Sequence, residues 1–70
     1  MPLTMANTGD TVVIRKITGR DEVRQHLAEL GFVVGESITG VNVLGGNLNL
    51  QVKARRIALD QTLAMRILVA

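Results

Sequence analysis

Asp21-Glu22-Val23-Arg24-Gln25-His26-Leu27-Ala28-Glu29-Leu30-Gly31-Phe32-Val33-Val34-Gly35 is the stretch whose reading decides the fold. Val23, Leu27 and Leu30 recur at i, i+4 and i+7, which places them on one face of a helix. Ala28 widens that face and His26 sits on its flank, while Glu22, Arg24, Gln25 and Glu29 fall mostly outside it. Gly31 follows the last periodic residue, where a helix commonly ends in the left-handed conformation that glycine adopts without a Cβ penalty. In that motif the next residue packs back on the helix, so Phe32 is expected to touch Leu27. Phe32 is also the one aromatic residue of the chain. A helix of about ten residues is marginal alone in water. Its apolar face needs a partner, and the segments on either side read as strand and turn.

Upstream, Thr11-Val12-Val13-Ile14-Arg15-Lys16-Ile17 is rich in β-branched residues and predicts a first strand. Met1 to Asp10 is a lead-in with a turn at Gly9-Asp10, from which Leu3 and Met5 can reach a core. Thr18-Gly19 breaks the strand. Either Thr18 or Asp21 is placed to cap the helix, and their spacing resembles a capping box with Asp in place of Glu.

Downstream, Glu36 to Leu44 predicts a second strand whose alternation slips near Gly40: Ile38 has one parity, Val41 and Val43 the other. A bulge or bend at Gly40 repairs the slip. Gly45-Gly46, with or without Asn47, makes a hairpin turn. Leu48 to Lys53 alternates strictly, with Leu48, Leu50 and Val52 inward and Asn49, Gln51 and Lys53 toward water. Ala54-Arg55-Arg56 reads as a polar crossing and Arg56 to Leu59 as a short fourth strand. Asp60 to Ala64 reads as one helical turn capped by Asp60. Met65 to Val69 is the last strand, with Met65, Ile67 and Val69 on one side. The sum is a mainly β chain with a short helix. A flat sheet would expose long edges that invite aggregation. A small bent barrel of about five strands, with the helix plugging one side, avoids this.

The 70 residues make one small domain, spanning 1–70. There is no cysteine, so disulfides and thiolate metal sites are excluded, and stability must come from aliphatic packing. The 47% hydrophobic content supplies it. A formal charge of +2 permits acidic partners without demanding them. The lack of cysteine fits a reducing cytoplasm. Met1 to Ala6 carries no signal-peptide pattern, and no apolar run approaches the roughly 20 residues of a membrane span. A membrane role would therefore run through a partner.

Chemistry is sparse. Ser37 and His26 are the only serine and histidine, and nothing around Ser37 resembles a nucleophile elbow. No catalytic residue is expected. His26 with Glu22 and Glu29 offers one imidazole and hard oxygens, short of a dedicated ligand set, so no metal site and no cofactor is expected. Gly45-Gly46 lacks the lysine of a phosphate loop. Lys53, Arg55 and Arg56 form the main basic patch, which Arg66 is placed to join. The plain reading is a solvated loop, and the functional one is contact with an acidic protein surface. Nucleic-acid binding is disfavoured, because single-strand binders need aromatic platforms.

The order and spacing of several segments resemble the FeoA family of small ferrous-iron-transport proteins. These are Gly9 before the first strand, Ile17-Thr18-Gly19, Leu27 through Ile38, Arg56 through Asp60 and Ala64 through Val69. The most specific parts are Leu30-Gly31-Phe32-x-x-Gly35 and Ile57-Ala58-Leu59. The family's usual glycine before Ile-Ala-Leu is replaced here by Ala54-Arg55-Arg56. The resemblance implies an SH3-like β-barrel and a cytoplasmic accessory role without enzyme activity. It also implies action on the cytosolic GTPase part of the FeoB membrane permease. The expected docking surface is Leu30, Gly31, Phe32, Val33, Val34 and Gly35. Val33 and Val34 directly follow the turn and are not expected to be buried together, which leaves an apolar spot of the kind that marks interfaces. A nucleic-acid-binding small barrel and a self-associating repressor-type domain are the alternatives, and a homo-oligomer stays open.

Overall fold

Branched aliphatic residues gather where the chain is extended, and glycines where it reverses. The computed structural model describes residues 1–70, except for the side chains of Val41 and Leu44. A 3₁₀ turn at Leu3–Met5 precedes β1 (Thr11–Ile17), α1 (Asp21–Glu29), β2 (Ser37–Leu44), β3 (Asn47–Val52), β4 (Arg55–Asp60), α2 (Gln61–Ala64) and β5 (Ile67–Val69). The strands form one antiparallel sheet in the order β4-β3-β2-β1-β5. Among the described residues no ladder joins β4 to β5. The gap is bridged by other elements: α2 packs on β3, β4 and the 3₁₀ turn, and that turn packs on β5. Pro2 bridges Leu68, and the Val69 N–H donates to the Met1 carbonyl at 2.7 Å, so the outer edge of β5 is covered.

The alternation in β3 is as expected, with Leu48, Leu50 and Val52 buried. They meet Val12 and Ile14 of β1, Ile38 of β2, Leu59 of β4, and Ile67 and Val69 of β5. Leu3, Leu27, Phe32 and Ala64 close the core from outside the sheet. Leu3 is buried but Met5 is exposed. The bulge expected at Gly40 is present, as a register shift between Gly40 and Asn42. The lead-in presses on it. The Gly9 N–H donates to the Gly40 carbonyl at 2.7 Å, and a Cβ on Gly40 would stand 3.4 Å from the Asn7 carbonyl oxygen. The side chain of Val41 lies outside the described residues.

Several expectations are corrected. Neither Thr18 nor Asp21 caps α1. The capping position falls on Arg20, which makes no side-chain cap bond, and the Thr18 hydroxyl instead donates to the Arg66 carbonyl at 3.2 Å. Asp21 and Glu22 lie in the first turn, where their charges suit the helix dipole. Ala28 does not extend the buried face of α1, since it is exposed and Leu27 alone is wholly buried. Ala54 does not begin a crossing. Lys53 (φ 51) and Ala54 (φ 62) make a tight hairpin, so β4 starts at Arg55. Asp60 caps α2 as expected, its carboxylate accepting the Thr62 N–H at 2.6 Å. Met65 terminates α2 and is 60% exposed, so only Ile67 and Val69 bury on β5.

Candidate docking groove

The end of α1 positions the site. The Gly31 N–H donates to the Ala28 carbonyl at 3.0 Å, and the Phe32 N–H to the Leu27 carbonyl at 2.9 Å. These two bonds, with Gly31 at φ 106, are the Schellman arrangement. Leu27 and Phe32 are both 0% exposed, so the turn is pinned from inside. From outside, the Arg55 guanidinium donates to the Leu30 carbonyl at 3.0 Å, placing a cation at the negative end of the helix. The loop that follows is held on β1: the Gly35 N–H donates to the Ile14 carbonyl at 2.8 Å, and the Ile14 N–H to the Glu36 carbonyl at 2.9 Å.

The six residues expected to dock therefore take different places. Gly31 and Phe32 are buried and hold the turn. Leu30 and Val33 are half-buried, and Gly35 is exposed. Val34 is 64% exposed, a branched aliphatic side chain held in water by a loop bonded at both ends.

Beside Val34 a groove opens between α1 and β1. Its floor is Ile17, Ala28, Phe32, Val33 and Val34, and its rim carries Arg15, Lys16 and Arg24. Sequence reasoning missed this rim. The reason is a second bulge, a register shift between Ile14 and Lys16, which leaves Arg15 and Lys16 both exposed although adjacent in sequence. The visible signal was the Arg15-Lys16 pair breaking the apolar alternation of β1.

The basic patch expected at Lys53, Arg55, Arg56 and Arg66 does not assemble. Lys53 and Arg55 lie against Gly31 at the end of α1, with Lys53 pairing Glu36 at 3.8 Å. Arg56 lies beside Asn42 and Asn49 in a different recess. Arg66 lies beside Gly19 and Val23 at the start of α1. Among the described residues no three His, Cys, Asp or Glu side chains gather to hold a metal ion. The recess under Leu3 and Leu48 has a cavity volume of ≈ 20 Å³, room for about one water and no organic ligand.

The FeoA domain family model matches residues 1–70. The chain belongs to the FeoA domain family. A protein of Methanocaldococcus jannaschii named Fe(2+) transport protein A is 29% identical over 68 residues, covering 97% of this chain and 83% of that protein. The zinc complex of Stenotrophomonas maltophilia FeoA, described as a prokaryotic SH3 domain protein, superimposes with a TM-score of 0.85 at 32% identity. The match covers 100% of this chain and 89% of that one. The sheet described above is this SH3-like fold. A manganese-dependent transcriptional repressor shares it at a TM-score of 0.91 and 16% identity, the match covering 100% of this chain and 40% of the repressor. At that identity the likeness concerns the fold alone. Among the described residues no helix is long and apolar enough to cross a membrane.

Proposed function

We propose that this chain is a non-catalytic, cytoplasmic accessory module of ferrous iron uptake that docks on the cytosolic GTPase region of a FeoB-type permease. Membership of a family whose relatives are named for Fe(2+) transport supports the process. The Stenotrophomonas relative is itself put forward as a ferrous iron transport activating factor. The observation that carries docking is Val34, 64% exposed on a turn locked by the Gly31 and Gly35 bonds. Exposed apolar side chains on rigid supports lose little entropy on binding, so their burial counts toward affinity.

A pull-down of the permease's cytosolic domain tests this. Val34→Asp should lower capture about tenfold or more, because a carboxylate would have to be desolvated at the interface. Unchanged capture would exclude the Leu30–Gly35 surface. Nothing specific favours nucleic acid: the sole aromatic residue, Phe32, is 0% exposed and offers no stacking platform.

A further inference from the structure

We propose that the groove between α1 and β1 receives a short acidic segment of the partner, anchored by one apolar side chain. This rests on the docking reading above and specifies the chemistry of what docks.

Charge argues for the acid. Arg15 and Lys16 stand on the β1 rim and Arg24 on the helix rim, and no carboxylate lines the groove. Among the described residues neither Arg15 nor Lys16 has an ion-pair partner, and Arg24 is held only by Asp21 at 3.5 Å, where both side chains are largely solvated. Such a pair gives way readily to a better-placed carboxylate. The bulge in β1 matters here. In a regular strand Arg15 and Lys16 would point to opposite faces of the sheet, whereas the shift after Ile14 leaves both in solvent at the same rim. The groove has therefore gathered like charges with nothing of its own to neutralise them.

The floor argues for the anchor. Ala28 is the smallest apolar side chain that the helix can present, and it keeps that wall low. Ile17 and Val33 are half-buried, so an apolar group laid between them and Val34 would complete a surface already partly dry. Cations around an apolar floor match a segment in which carboxylates flank an aliphatic or aromatic side chain. A polyanion without such an anchor would leave the floor wet.

Titration calorimetry of the intact chain against the purified cytosolic domain of its permease tests the assignment. The charge reversal Arg15→Glu with Lys16→Glu should weaken binding by about tenfold or more and flatten its salt dependence. Both residues are exposed, so the fold should survive. Ala28→Leu fills the floor without changing charge and should also weaken binding several-fold. Arg56→Glu makes half that change of charge outside the groove and should leave affinity within about twofold. Weakening by Arg56→Glu as large as that of the double variant would overturn the groove as the site, and so would indifference to both groove variants. Indifference to Ala28→Leu alone would overturn the anchor. Failure of the unmodified chain to bind the domain would overturn the docking reading itself.

Discussion

Two tight hairpins turn the same sheet, and they solve one backbone problem with different residues. Gly45 (φ 56) and Gly46 (φ 83) join β2 to β3, while Lys53 (φ 51) and Ala54 (φ 62) join β3 to β4. Both need positive φ at two successive residues, the condition for a turn whose twist matches the strands. The glycine turn is bare, with no atom within 4 Å of where a Cβ would stand at either position. The other turn has side chains with work to do. Lys53 Cδ and Arg55 Nη2 approach to 4.0 and 3.9 Å of the Cβ position of Gly31, so this hairpin covers the end of α1. Angles of 51° and 62° lie in the left-handed well that L residues enter at a cost, whereas 106° at Gly31 lies well outside it. Where φ exceeds the well, glycine is required. Where φ stays inside it, a side chain can be kept if it covers something.

The harshest way to break this comparison is Leu27→Ala. Leu27 is the one wholly buried residue of α1 and holds the helix end under the Lys53-Ala54 turn. Its truncation should cost about 2–5 kcal/mol, read by chemical denaturation. A smaller loss would mean that Phe32 alone secures the turn. Next in size is Gly31→Ala. A methyl there would find ordinary contacts at 3.8–4.0 Å, so the penalty is conformational, about 1–2 kcal/mol. No loss of thermal stability would show that the well is wider than supposed. The smallest effect has the opposite sign. Ala54→Gly relieves left-handed strain but loosens the unfolded chain, and should stabilise by about 0.5 kcal/mol, or roughly 2–4 °C in melting temperature.

The same contrast explains what could be read before the structure. Gly45-Gly46 announced its hairpin by composition, and the strict alternation of Leu48 to Val52 announced the strand that follows. The slip between Ile38 and Val43 announced the bulge at Gly40, and Gly31-Phe32 announced the end of α1. Lys53-Ala54 announces nothing, because lysine and alanine carry no turn signature, and the hairpin there reads in sequence as a crossing. The caps offered by Thr18 and Asp21 were plausible by spacing, but Thr18 reaches across to Arg66, a contact separated by 48 residues in sequence. The groove's rim was illegible for a related reason. Arg15 and Lys16 are brought to one side by a register shift against β5, and pairing partners are set by the whole sheet. Its floor is half legible: Val33 and Val34 stand out in the sequence as an apolar spot after the turn, while Ile17 reads only as the end of a strand and Ala28 as part of the helix's apolar face.

The unequal anchoring of α1 has a consequence for the groove it borders. Its last turn is locked by two backbone bonds, a buried phenyl ring and a guanidinium, but its first turn starts at Arg20 without a side-chain cap. Amide protons near Asp21 to Arg24 should therefore exchange with solvent sooner than those near Leu30. Arg24 rides on the looser end, while Arg15 and Lys16 are set in the sheet. An arriving segment meets one fixed jaw and one that gives.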